Sequence, residues 1–193
     1  MFRIVRPRER DRERLIAAAR DAQPASPDLL TLENGMLGSL PLGFAHDFCR
    51  VEISVGKRAF EAARGALQRW EQFDLGWVRI ANPTLGITSG ELVAVEARTA
   101  GLWSINFSRV VDVVDSATRF GFLYATTALH IEEGQERFLV EFDPQAETVH
   151  YVIDAVSRPR HILARVGYPI SRAMQQRFQR DSIAKMRRSV RGN

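Results

Sequence analysis

The chain has 193 residues, 45% of them hydrophobic, a net charge of +4 and one cysteine. This suits one globular domain with a full core. The lone Cys49 excludes an internal disulfide and fits a reducing compartment. Residues 1–20 carry seven arginines and no apolar stretch of signal-peptide length, and no apolar run approaches a membrane span, so the reading is a soluble cytoplasmic protein. The charge is uneven: residues 158–193 hold ten Arg and Lys against Asp181 alone, a local +9 that leaves −5 for the rest. A basic tail can meet an anionic membrane or nucleic acid. Arginine outnumbers lysine 25 to 2 over the whole chain, however, which is a general compositional bias rather than a local one.

In chain order, residues 8–22 read as a helix with Pro7 at its start and a thin apolar content of Leu15, Ile16 and alanines, a loosely docked appendage. Pro24 to Pro41 has turn chemistry. Phe48–Ser54 alternates as a strand, and Gly56–Phe73 reads as a helix whose Phe60, Ala63, Leu67 and Trp70 form one stripe. Six strands follow without an intervening helix: Gly76–Ala81, Glu91–Thr99, Leu102–Val114, Thr118–His130, Glu136–Asp143 and Glu147–Ser157. They predict a mostly antiparallel sheet. Pro159 opens a short helix, Gly167-Tyr168-Pro169 breaks it, and a long helix from Pro169 carries Ile170, Met174, Phe178, Met186 and Val190 on one stripe. At about 32 Å it can cross a whole sheet. Residues 1–27 are read as a helical extension and 28–193 as the domain.

Period-two alternation assigns an inner face. It places Trp103, Ile105, Phe107, Arg109, Val111 and Val113 together on one strand, and Phe120, Phe122, Tyr124, Thr126, Ala128 and His130 on the next. Phe138, Val140, Phe142, Val149, Tyr151, Ile153 and Ala155 continue that face. Glu132-Glu133-Gly134 has the form of a three-residue hairpin loop, which pairs His130 with Glu136, Thr126 with Val140 and Tyr124 with Phe142. A His opposite a Glu is either an acid–base pair or an exposed pair at a hairpin tip. Arg109 either meets a ligand carboxylate or turns outward at a bulge. Tyr124 and Tyr151 either orient a ligand or are satisfied core tyrosines.

Enzyme motifs are missing. Gly86–Gly90 has the outline of a nucleophile elbow, but its centre is Thr88 and no helix follows. His46 and Cys49 have ligand-like spacing without a second pair for zinc. There is no phosphate loop or dinucleotide fingerprint, and Trp70, Trp77 and Trp103 are too dispersed to stack nucleic-acid bases.

Gly56–Trp70 followed by Phe73-Asp-Leu-Gly-Trp77, Arg119–Thr126, His130, Gly134–Phe138, Ser157-Arg-Pro159 and Gly167-Tyr-Pro169 together resemble a bacterial and plant family called domain of unknown function nineteen-ninety. That family is grouped with the START and birch-pollen-allergen (SRPBCC) superfamily. The resemblance covers residues 28–190 and implies an α+β helix-grip fold: a curved antiparallel sheet wrapped round a long C-terminal helix, enclosing an apolar cavity. It implies no activity. The family's tyrosine-glycine-threonine and proline-glycine-histidine stand here as Tyr124-Ala125-Thr126 and Thr127-Ala128-Leu129-His130, so a tight turn before His130 is not expected.

The leading expectation is a non-enzymatic protein holding a small hydrophobic or amphipathic ligand. Trp77, Trp103, Phe107, Phe122, Tyr151 and Met174 form its wall, and Tyr124, His130, Glu136 and Arg109 orient one polar end. A second is an enzyme using His130 and Glu136 as acid and base. A third is peripheral contact of the basic helix with an anionic membrane or nucleic acid. No catalytic, metal or cofactor residue is assigned, and no specific nucleic-acid partner.

Overall fold

The computed structural model describes residues 2–82, 86–160 and 168–191. Its main sheet is antiparallel throughout: β4 (Ala45–Val55), β10 (Thr148–Pro159), β9 (Glu132–Asp143), β8 (Arg119–Thr126), β7 (Leu102–Asp115), β6 (Leu92–Thr99) and β5 (Val78–Ile80) lie side by side in that order. A short β1 (Phe2–Arg3) pairs with β7. The small pair β2 (Leu30–Thr31) and β3 (Gly35–Met36) lies within the segment read as loop. The helices are α1 (Glu9–Ala18), α2 (Lys57–Gln68) and α3 (Tyr168–Arg191).

The inner face is closed by α2 and α3. Phe60, Ala63 and Leu67 of α2 and Met186 and Val190 of α3 join one apolar cluster with Phe120, Phe122, Phe138, Val140 and Tyr151. The expected helix to Phe73 stops early. Trp70 adopts the left-handed conformation (φ 61°), and Glu71–Phe73 form one 3-10 turn. That conformation costs on the order of 1 kcal/mol in a residue with a Cβ. It turns the Trp70 ring to 4.8 Å from Phe122 and brings Phe73 between Phe138 (5.4 Å) and Phe178 (5.2 Å).

Three other expectations need correction. Pro159 ends β10 instead of opening a helix; the rest of the expected short helix, with Gly167, lies outside the described residues. Strand β8 ends at Thr126, and the connection is Thr127–Ile131. The register is therefore Tyr124 with Glu136, Phe122 with Phe138 and Phe120 with Val140. This is an even shift from the expected pairing, so every side chain keeps its face. The outer face of the sheet is also apolar. Leu123, Leu139, Val152 and Val156 are covered by Leu29, Leu30, Leu32 and Phe44. Finally, Ile105 and Phe107 meet Leu15, Ile16 and Ala19 on that outer side.

The last finding reverses the face assigned to the first half of β7. Its inner positions are the buried Ser104, Asn106, Ser108 and Val110, and the bulge between Val110 and Asp112 then brings the odd-numbered Val113 to the inner cluster. Alternation alone could not separate the faces because both are buried.

The N-terminal segment is held by its ends. Helix α1 itself has no buried residue. Beside it, the fully buried Glu96 takes Arg79 Nε at 2.5 Å and Arg6 Nη2 at 3.1 Å, and Arg6 lies 4.9 Å over the Trp103 ring. Arg109 donates to the carbonyls of Ala22 (2.8 Å), Arg20 (2.6 Å) and Gly90. Arg109→Ala should cost on the order of 2 kcal/mol by freeing these carbonyls and should open new protease cleavage within residues 4–25. A digestion pattern equal to that of the wild type would show that Arg109 does not anchor the segment.

Candidate functional site

Register orders the inner face into rows across the sheet. One row is apolar: Val113, Phe122, Phe138, Ile153 and Cys49. The next holds Val110, Tyr124, Glu136, Ala155 and Asp47. Beyond it, Ser108 pairs with Thr126, and Gly134 pairs with Ser157. The concave face thus grades from aromatic to polar, and its boundary is the row containing Tyr124 and Glu136.

At that boundary Tyr124 Oη donates to Glu136 Oε2 at 2.5 Å. Tyr124 is buried, while Glu136 and Ala155 keep part of their surface accessible. Asp47 ends the row and is gripped from α3 by Arg172, whose Nη2 lies 2.7 Å from Asp47 Oδ1. One helical turn on, Gln175 donates to Glu132 (3.4 Å) and to Ser157 Oγ (3.4 Å). The polar end of the face is therefore tied to the first half of α3.

Gly134 is required beside it. Its N–H reaches Thr126 Oγ1 at 3.0 Å, and a Cβ built there would stand 2.1 Å from the Val156 carbonyl oxygen. Only a residue without a side chain allows β9 and β10 to approach so closely.

Burial raises the Glu136 carboxyl to about 7, the nearby Glu132, Asp47 and Asp154 carboxylates push the same way, and the Tyr124 hydroxyl opposes them. Burial also pushes the Tyr124 hydroxyl well above its ordinary range. The expected His130–Glu136 pair does not form. His130 lies in the connection after β8, where its Nδ1 accepts the Glu132 N–H at 2.9 Å and burial lowers it to about 4. It is the neutral acceptor of a turn, and Tyr124 has taken the place opposite Glu136.

The other expected wall residues divide three ways. Phe122 and Tyr151 are fully buried core, with the Tyr151 hydroxyl 2.9 Å from Ser182 Oγ. Trp77 and Met174 are half-buried. The Trp77 indole donates to Asp181 at 3.0 Å beneath Arg177, and Met174 lies outside the main apolar cluster. Trp103, Phe107 and Arg109 lie on the outer face, for the reason given by the β7 bulge. Sequence reasoning missed Asp47, Arg172, Glu132 and Gln175. Asp47 was legible in principle, since it shares the parity of Cys49 and Val51 on a strand that begins three residues earlier than expected.

Among the described residues no cluster of His, Cys, Asp and Glu could hold a metal, and no helix is long and apolar enough to cross a membrane.

Because the Glu136 carboxyl stands near 7 in the folded protein and near 4.5 when unfolded, the folded state binds the extra proton. Its contribution is fully present below about pH 4.5 and is lost as pH rises through 7, by at most about 3 kcal/mol. Glu136→Gln should remove that slope. Urea melts of both proteins at pH 5 and pH 8 check this, and parallel losses in the two would exclude Glu136 as the source.

Residues 31–185 match the family described as "Domain of unknown function (DUF1990)". A UPF0548 protein of Dictyostelium discoideum is 30% identical over 210 residues, spanning 100% of this chain and 97% of the relative. A UPF0548 protein of Arabidopsis thaliana is 30% identical over 146 residues, 72% of this chain and 70% of the relative. Among solved structures, Ara h 8.0201 superposes with a TM-score of 0.52 at 13% identity, over 78% of this chain and 100% of that one. The Zhui aromatase/cyclase of a Streptomyces species gives 0.53 at 16% identity, over 77% and 94%. At such identities the structures speak for the fold alone. With the curled sheet, the covering helices and the match over residues 31–185, the chain belongs to the DUF1990 (UPF0548) family and has the α+β helix-grip fold.

Proposed function

We propose that the chain holds a small amphipathic molecule against the polar end of its concave face, between the Tyr124–Glu136–Ala155–Asp47 row and the first half of α3. The observation that carries this reading is the graded inner face. An aromatic block ends at a hydrogen-bonded Tyr–Glu pair, and Glu136 keeps part of its surface accessible. An apolar surface with a few convergent polar groups is the usual make-up of a small-molecule site. The apolar part of the ligand lies towards Phe138 and Met174, and its polar end meets Tyr124 and Glu136. Near neutral pH Glu136 supplies both a protonated and an ionised form, so it can donate to an oxygen or accept from a hydroxyl. A cytoplasmic location, consistent with the single cysteine, belongs to the same proposal.

A second reading rests on the same carboxyl. A group held at about 7 can give and take a proton at working pH, which suits a dehydration or cyclisation, and the Zhui aromatase/cyclase has a like fold.

Native mass spectrometry of freshly purified protein, followed by denaturing extraction, should yield one retained amphipathic molecule. Ala155→Trp, which sets an indole between Glu136 and Asp47, should abolish retention. An apo mass together with no thermal shift across a panel of fatty acids, isoprenoids and aromatic polyketides would remove the proposal. Glu136→Gln separates the two readings. A holder loses affinity several-fold, whereas an enzyme keeps its ligand and loses turnover.

A further inference from the structure

A concavity lies on the edge of the sheet, apart from the Tyr124–Glu136 pair. The edge strand β4 and the later turns of α3 leave a groove of about 610 Å³ between them. Its floor is apolar, formed by Cys49 and Val51 from β4 and by Ile183 and Ala184 from α3. Its rim is Arg180, Arg187, Arg188 and Arg191, and among the described residues no acidic side chain lines it.

The partners of these arginines set them apart from the arginines that the chain holds in close ion pairs. Arg172 is held by Asp47, Arg64 by Asp115 and Arg158 by Glu133. In the groove, Arg180 has Asp181 at 3.5 Å, and Arg187 spends one N–H on the Glu52 carbonyl at 3.0 Å. Arg188 and Arg191 have no acidic side chain within ion-pair distance among the described residues. The helix dipole favours cations in the last turn of α3, which accounts in part for those two. It accounts neither for Arg180 and Arg187 further back nor for the apolar floor between the four.

We propose that this groove binds an amphipathic phosphate, an alkyl chain ending in a phosphate monoester. The chain runs along Val51 and Ile183, and the head sits between Arg188 and Arg191. Guanidinium groups take phosphate oxygens in pairs through parallel N–H bonds. The groove falls in the usual range for small ligands, about 300–1,000 Å³. It is too small for a macromolecule and large enough for a chain that the apolar floor removes from water.

Cys49 is the only cysteine of the chain and is half-buried in the groove floor, so its reaction with the neutral disulfide dithiodipyridine reports occupancy directly. Burial raises its thiol and Arg187 opposes that shift, so rates are taken at one fixed, mildly alkaline pH. Monomeric dodecyl phosphate at about ten times its dissociation constant should slow the reaction about tenfold. Inorganic phosphate at the same concentration should leave it unchanged. The double variant Arg188→Glu with Arg191→Glu, altered only at exposed positions, should stay folded with a small drop in melting temperature from the reversed charges at the helix end, and lose the protection. Glu136→Gln should keep it, which separates this site from the one on the concave face. The proposal is overturned if dodecyl phosphate gives no protection. It is also overturned if the double variant is protected as well as the wild type, since adsorption would then be apolar only. Protection by vesicles of anionic phospholipid but not by the monomeric amphiphile would overturn it too, and would make the face a membrane-contacting surface.

Discussion

The sheet of this protein buries both of its faces, and most of its departures from a simple alternating pattern follow from that constraint. A curled antiparallel sheet normally leaves one side to water. Here residues 29–44 cover β8, β9 and β10 from outside, and the N-terminal segment covers β6 and β7. Strand β7 changes parity at its bulge, so that Ile105 and Phe107 face out while Val113, of the same parity, faces in beside Val110. A bulge adds one residue to one strand and so exchanges faces without ending the ladder.

Covering the outer face brings charge into a dry place, and the satisfied network there defines the register of the cover. Arg137 and Asp154, both buried, meet at 2.8 Å, and Arg137 also donates to the carbonyls of Thr31 (3.0 Å) and Leu32 (3.2 Å). His46 closes the other Asp154 oxygen at 2.7 Å. Gln135 Oε1 takes the N–H groups of Leu29 (2.6 Å) and Leu30 (2.8 Å). A buried ion pair adds little net stability over apolar packing, but losing one partner is costly. These groups therefore act mainly to fix one position of the covering segment, where apolar contact alone would allow sliding.

Much of the fold was legible because the long strands and the final helix have strong periodic signals, and because their order admits few topologies. Helix α3 begins one residue before the expected Pro169, and β5 to β10 lie side by side in chain order, with β4 beside β10. The site was less legible. The aromatic inner face of β8, β9 and β10 emerged from alternation, but the face of β7 did not, since Trp103, Ile105 and Phe107 are as apolar as any inner row. The Tyr124–Glu136 pair was hidden by the turn. The sequence Glu132-Glu133-Gly134 looks like a hairpin loop, yet those residues already belong to β9, and Gly134 is there for close strand approach instead of a left-handed turn. Nothing local to residues 127–134 distinguishes the two uses of glycine. The contact with Val156 that decides the matter comes from more than twenty residues away.

Helix α3 shows how one amphipathic element can serve several surfaces at once. Phe178, Met186 and Val190 face the core, and Ser182 completes it through Tyr151. Along one flank Asp181 meets Trp77, Lys185 meets Asp74 at 2.7 Å and Ser189 meets Glu71 at 2.5 Å, so that the helix is clasped to the segment after α2. The other flank, with Arg180, Arg187, Arg188 and Arg191, faces the edge strand across the groove. The polar clasp matters because the helix stripe alone does not set its axial position. Arg172 at one end and Ser189 at the other, each bonded to a different part of the chain, hold the helix at both ends. The arginine flank owes its placement beside β4 to those bonds. A helix free to rotate by one residue, about 100°, would turn its arginines away from the edge strand and bring polar side chains into the core.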